Sequence, residues 1–401
     1  MRKIIVPLEA VKHHEETLGK ALIGYLDRLS QGKVLTWGEN GKYQATKFCC
    51  RHYWQWVHEQ FRDKHILTAS PMVLFRFAKE NKQKIKKIGI YCGKANNLCT
   101  DILEVTKKLF AYEKFRSGDV LVEVGKSGGK ILWSEAEDNL KCWKGWSLAE
   151  YFRLQDIRYC PYCNAETVGL VKRTDSNVDG EDSYSAIDHI LPKESYPLLA
   201  LSLCNLVPTC YKCNSQYKRD KDLFMTEAWT PNTPLLALHP YVHNVHKWFR
   251  FKYEPTSVEN MFVREEDNSS PLCTEAQNLL LTTNRKPLFH EQQDFYCKRV
   301  TRYLNVFELQ NSYRDLYAAE INEILKMEMI CTQDFVDEMK SRYGLSECDF
   351  DLIFRRTSLH PREINQHRFA KLVIDLNDQF RQNVSRRKII SAWKKYWRMT
   401  K

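Results

Sequence analysis

The chain has no uncharged apolar run of about 18 residues, the length that would read as a membrane-spanning helix. Its opening, MRKIIVPLEAVKHHEE, holds an apolar stretch too short and too soon broken by charge for a secretory signal. A cytoplasmic protein with no membrane partner is therefore expected, and most of its 14 cysteines are expected to stay reduced. It has no internal repeat, no low-complexity tract and no glycine-rich phosphate loop, so solenoids and nucleotide-cofactor enzymes find no signature here. The low-hydrophobicity signature of disorder is missing too: 43% of residues are hydrophobic and 28% charged, so the chain should fold.

What is present begins with length and charge. At 401 residues the chain exceeds the size at which one core keeps growing, and two or three domains are expected. A formal net charge of +11 favours a polyanionic partner, because each basic side chain that neutralises a phosphate releases condensed counterions.

Three segments emerge. Residues 1–150 read as an α+β domain of unknown role, with strand-like runs at IKKIGIYCG (85–93) and GDVLVEVG (118–125). Within it, the lysine-rich KENKQKIKKI (79–88) reads as a solvated helix face, with a phosphate-tracking surface as the alternative. Residues 151–240 form a central module that ends near the prolines of TPNTPLLALHP; the polar stretch DSNVDGED between Thr174 and Asp182 reads as a surface loop inside it. Residues 241–401 become helical from Glu275 onward, with Ala318, Ile321, Ile324 and Leu325 spaced as one apolar stripe. The last segment, SRRKIISAWKKYWRMTK, pairs a packing face (Ile389, Trp393, Trp397) with a basic one.

The central module carries the chemistry. Cys160 and Cys163 in YCPYCN, and Cys210 and Cys213 in TCYKCN, are two C-x-x-C pairs separated by 46 residues. Each pair can chelate one side of a tetrahedral ion from a tight turn, and together they complete a closed site, so a structural Zn²⁺ is expected. A redox reading of C-x-x-C needs a thioredoxin-like context that this sequence does not offer. Cys204 lies outside both pairs and reads as a small core residue. Between the knuckles, Ser185 to Leu191 has strand character until Pro192 stops it, which puts Asp188 and His189 on adjacent strand positions. Adjacent strand residues face opposite ways unless the backbone bends. Asn205 opens a second short strand, NLVP, and a polar helix, NSQYKRDKD, places Asn214 and Lys218 four residues apart on one face.

This order, Asp-His, then Asn205 16 residues after the histidine and Asn214 25 residues after it, resembles HNH endonucleases of the H-N-N variant, with the ββα-metal fold. The wording DHILPK, YPLLALSLCNLVP and CYKCNSQYK is similar to HNH proteins of bacterial anti-phage systems, including the Septu-type nuclease subunit that works beside an ATPase. The late segment RFAKLVIDLNDQF also looks like a tail of some of these proteins, while residues 1–150 match nothing known to us. The fold the resemblance implies is α+β: a central ββα-metal HNH module with structural zinc, between the α+β N-terminal domain and the mainly helical C-terminal region. The activity it implies is metal-dependent hydrolysis of DNA phosphodiester bonds, leaving a 5'-phosphate and a 3'-hydroxyl.

The resemblance also implies roles. His189 would be the general base, since imidazole titrates near neutral pH. Asp188 and Asn214 would give oxygen ligands to one catalytic Mg²⁺ or Mn²⁺. Asn205 would orient the loop and the histidine. The departure from the name-giving pattern is Asn214 where histidine would stand, which favours hard ions. Lys193, Lys218 and Arg219 are candidate nucleic-acid contacts. An ATPase partner subunit is a further expectation from the resemblance alone.

Each of these residues has a plainer use. Asp188 and Asn205 could cap turns, and a lone histidine is more often structural than catalytic; the joint placement between knuckles is what favours catalysis. His239, His243 and His246 read as structural, with no carboxylate near in sequence to complete a metal site. The competing function is a non-catalytic zinc-knuckle module that grips nucleic acid or a protein. Such a binder has no need of Asp188, His189 and Asn214 at these spacings.

Overall fold

The computed structural model describes residues 1–32, 35–37, 43–44, 51–91, 100–110, 112, 115, 132–133, 146–172, 181–183, 186–219, 221, 223, 237–254, 263, 272–276 and 290–381. These residues are mostly helical, with small antiparallel sheets: β2–β1–β3 and the pairs β4–β5, β6–β7 and β8–β9. The strands are β1 Leu35–Trp37, β2 Tyr43–Gln44, β3 Leu132–Trp133, β4 Leu170–Lys172, β5 Glu181–Ser183, β6 Ala186–His189, β7 Leu206–Thr209, β8 Phe249–Tyr253 and β9 Leu272–Ala276. No helix of the described residues is long and apolar enough to cross a membrane.

The N-terminal segment joins the β2–β1–β3 sheet to the helices α1 Leu8–His14, α2 Lys20–Ser30, α3 Arg51–Lys64, α4 Pro71–Tyr91 and α5 Thr100–Leu109. The strand expected at residues 85–93 is instead the end of α4 up to Tyr91. Its buried positions Phe77, Ala78, Asn81 and Ile85, followed by half-buried Ile88, recur every three to four residues. That spacing suits a helix facing one core, and β-branched content gave way to it. Lys82, Lys86 and Lys87 are exposed along the opposite side, as a solvated helix face should be. The run 118–125 lies outside the described residues, as does the basic terminal segment 385–401.

In the middle, α6 (Leu148–Gln155) begins with a capping box, Ser147 and Glu150 each satisfying the other's backbone N–H. Leu148, Tyr151 and Phe152 turn inward from it. The Tyr151 hydroxyl reaches the Leu203 carbonyl and the Tyr241 hydroxyl, so this helix braces the segment that leads into β7. The His14 imidazole on α1 holds the Leu201 carbonyl at 2.8 Å. Of the loop expected between Thr174 and Asp182, residues up to 180 lie outside the described residues, while Glu181 and Asp182 belong to β5, which pairs with β4.

The C-terminal third contains α7 His290–Val306, α8 Leu309–Leu316, α9 Ala318–Ile330, α10 Gln333–Tyr343, α11 Glu347–Phe350 and α12 Ala370–Arg381. Ala318, Ile321 and Leu325 are buried along α9 as the spacing predicts. The helical pattern starts later than Glu275, which sits in β9 opposite Arg250 of β8. RFAKLVIDLNDQF supplies most of α12, whose Asp375 and Gln379 accept the Phe251 and Tyr253 amides of β8. One buried hydrophobic cluster draws on all three segments, from Met1 to Phe380. The Met1 ammonium donates to Asn365, and the Ile4 amide to Pro240, so the start of the chain is fastened to its later parts.

Candidate functional site

The first knuckle is a tight antiparallel turn. Tyr159 bridges Thr167, the Cys160 amide donates to Glu166, and Asn164 closes the turn with φ 59°, a left-handed conformation that asparagine tolerates. The Asn164 amide group then donates to the Ile364 and His367 carbonyls and its oxygen accepts the Lys371 amide, tying the knuckle to the start of α12. The second knuckle follows β7: Cys210 comes directly after Thr209, and the Cys213 amide points at the Cys210 sulfur at 3.4 Å. Tyr303 and Tyr313 donate to the Tyr162 and Cys163 carbonyls, so the C-terminal helices close over the cluster.

The four sulfurs lie within 4.8 Å of one another and all four cysteines are buried. Cys163 and Cys210 stand 3.9 Å apart, near the ~3.8 Å edge of a tetrahedron with Zn–S bonds of about 2.3 Å. Burial alone would push these thiols up. Around Cys160 the hydrogen bonds from Cys163, Cys210 and Cys213 outweigh it and hold that group well below the usual thiol range. Cys213 is pushed well above it by burial and by the same neighbours. Four thiolates together need a cation, and this donor set fits Zn²⁺ with no open position.

β6 and β7 form a short antiparallel ribbon in which Asp188 faces Val207 and His189 faces Leu206. The two side chains engage different neighbours, as the alternation of a strand requires. Asp188 is buried with both oxygens taken: Lys218 Nζ lies 2.6 Å from Oδ1, and the Tyr162 hydroxyl donates to Oδ2 at 2.5 Å. Burial raises the Tyr162 pKa first and Asp188 adds to it, so this phenol keeps its proton. Lys218 also donates to the His189 carbonyl at 2.9 Å. The His189 ring holds the Ala200 carbonyl through Nε2 at 3.1 Å and meets Tyr112 edge-on at 4.6 Å. A carbonyl partner needs a proton on Nε2, which leaves the lone pair of the neutral ring on Nδ1. Burial, then the charge of Lys193, lowers the His189 pKa to about 3, so the ring is neutral at pH 7.

Asn205 sits where the 3₁₀ turn Leu203–Asn205 passes into β7. Its oxygen accepts the Leu191 amide, and its amide group donates to the Leu191 and Leu199 carbonyls. It thus spans the loop that follows His189. Asn214 lies in a π-type helix, Lys212–Lys218, and donates to the Ile187 carbonyl at 3.3 Å. The polar helix read at 214–222 therefore starts earlier and stops at Lys218, because Arg219 takes φ 54° and ψ −135°.

Of the three basic residues expected at a surface, Arg219 is exposed and Lys193 is half-buried with its ammonium over the Tyr112 ring. Lys218 is fully buried instead, because the wide turn directs it to Asp188 rather than to solvent. A hard cation about 2.1 Å from the same carboxylate oxygen would stand roughly 4 Å from this ammonium. At an effective dielectric near 20 that repulsion is roughly 8 kcal/mol. As they stand, Asp188 and Asn214 do not fit a divalent ion. Tyr162 and Tyr112 were not singled out from sequence; Tyr162 could have been, lying between the two cysteines of its knuckle. His239 and His243 serve as acceptors for backbone amides of Tyr241 and His239, and Arg299 approaches His243 Nε2 at 2.9 Å. Cys204 is buried, and burial pushes its thiol up to about 12.

Comparison with known proteins gives one partial similarity. The chain is 33% identical over 57 residues to Septu protein PtuB of Bacillus thuringiensis, covering 14% of this chain and 18% of that protein. The chain thus spans under a fifth of the length of the curated relative it matches. No family profile matches the chain, and no solved structure matches it.

Proposed function

We propose that this chain is an HNH-type endonuclease of the H-N-N variant that hydrolyses DNA phosphodiester bonds, as a component of a Septu-like anti-phage system. The observation that carries the reading is the local order of elements: a two-stranded ribbon bearing Asp188 and His189, then a helical turn bearing Asn214, stapled by the four-cysteine cluster. The partial similarity to Septu protein PtuB supports it. In this reading Zn²⁺ on Cys160, Cys163, Cys210 and Cys213 holds the ribbon to the turn and performs no chemistry. His189, with Ala200 fixing its tautomer, takes a proton from the attacking water at Nδ1. Asn205 keeps the loop after His189 in register, and Lys193 and Arg219 meet phosphates. An ATPase partner and the three-part division at residues 150 and 240 belong to the same proposal. No catalytic step is routed through a divalent ion, because Asp188 is already neutralised by Lys218.

The burial of His189 is the observation that favours the alternative, a zinc-stapled binding module without chemistry. Nicking of supercoiled plasmid by the zinc-loaded chain with Mg²⁺ or Mn²⁺ separates the two. The nuclease reading expects nicking that slows by about 100-fold or more in His189→Ala at unchanged zinc content. Equal rates for both proteins, or no nicking with either ion, would sink it.

A further inference from the structure

Lys218 is the unexpected feature of the centre. Lysines are almost never fully buried without a partner, since the ammonium loses its water. Here the side chain is wholly enclosed and spends its donors on Asp188 Oδ1 at 2.6 Å and the His189 carbonyl at 2.9 Å. Tyr162 completes the carboxylate at 2.5 Å. The ammonium therefore sits where a metal ligand would need its cation, on the one carboxylate that the ribbon presents.

The segment that delivers Lys218 is also the irregular one. It is the last residue of a π-type turn, closed by an Arg219 amide to Asn214 carbonyl bond of 2.7 Å across five residues. Arg219 then takes φ 54°, ψ −135°, a region that residues other than glycine seldom adopt. Single π-type turns occur often at functional sites, and backbone strain persists only where the surroundings enforce it.

We propose that Lys218 is the resident cation of this centre: it neutralises Asp188 and excludes a divalent ion, which enters only when the Lys218 side chain withdraws. The inference deepens the nuclease reading by naming what controls metal access to Asp188. Withdrawal requires the part of the turn beyond the zinc ligand Cys213, Asn214–Lys218, to unwind, with Arg219 as the hinge. Cys213 lies at the start of this turn, so the zinc site would hold its N-terminal end in place.

The test is Mn²⁺ binding to the zinc-loaded full chain, followed by loss of the free-ion electron paramagnetic resonance signal. Lys218→Met and Lys218→Gln should each bind one Mn²⁺ about 10- to 100-fold more tightly than wild type. Lys218→Arg, which keeps the charge, should not. Adding Asp188→Asn to Lys218→Met should remove the gain. Wild-type binding as tight as that of the neutral variants would overturn the proposal, as would no gain in those variants or a gain that survives Asp188→Asn. Zinc content identifies properly folded variants. Should both neutral variants lose zinc, wild type against Asp188→Asn still decides: the proposal requires weak binding to wild type, and tight binding that Asp188→Asn abolishes contradicts it. Failure of the nuclease reading would appear in the plasmid assay and leave this binding result standing.

Discussion

The two ends of the β6–β7 ribbon handle buried charge in opposite ways. At the Thr209 end, four cysteine sulfurs converge within 4.8 Å and would repel one another as thiolates, an arrangement that fits a cation from outside. At Asp188 the carboxylate has its counter-ion from within, 2.6 Å away on Lys218. Tyr162 joins the two, lying between the knuckle cysteines and donating to Asp188. The difference teaches that similar ligand-like residues a few positions apart can differ in what they require. The cysteine end should depend on metal for its stability, while the aspartate end should depend on lysine.

The largest effect should come from the cysteine end. Structural zinc contributes on the order of 10–16 kcal/mol in small knuckle domains, so chelation or Cys213→Ser should unfold the central module. Differential scanning calorimetry with and without a strong chelator checks it, and an unchanged transition would erase the contrast. At the other end Asp188→Ala strands a buried ammonium and should cost about 3–5 kcal/mol. The pair Asp188→Asn with Lys218→Met should cost less than that single change, because no charge is left unpaired. Urea titrations of the single and double variants read the coupling directly.

Asn205→Ala should cost about 1–3 kcal/mol, since it leaves the Leu191 amide and the Leu191 and Leu199 carbonyls without their partner. It should loosen the loop after His189 and leave zinc stoichiometry intact. A pH effect comes next. Burial lowers His14 to about 4 and His243 to about 3, against about 6.5 in the unfolded chain. The unfolded state then binds more protons, so this stability is present above pH 6.5 and is lost as pH falls toward 4 and 3. His14→Gln should flatten the dependence of the urea midpoint between pH 7.5 and pH 5, and an identical slope would contradict the assignment. The smallest effect belongs to the solvated side of α4, where Lys86→Ala and Lys87→Ala should each stay within about 0.5 kcal/mol.

Much of the cysteine end was legible in the sequence, because C-x-x-C spacing is a local constraint that a tight turn satisfies by itself. The strand at Asp188 and the stripe of α9 were legible for the same reason: pattern and period are written along the chain. What distant packing decides was not legible. IKKIGI carries β-branched residues, yet the burial of Ile85 beside Asn81 and Ala78 makes it helix. Asn214 and Lys218 were expected on one face of a polar helix open to phosphate; the width of the turn that forms instead, and hence whether Lys218 meets solvent or Asp188, depends on the ribbon beneath it. Tyr112 against His189 joins residues 77 positions apart, beyond any local signal.

Metal content of the wild-type chain, measured by native mass spectrometry after purification with Mn²⁺ present, tests the contrast most directly. The account predicts one Zn²⁺ per folded chain and no second ion. A folded chain without zinc, or a bound Mn²⁺ that Asp188→Asn removes, would contradict it.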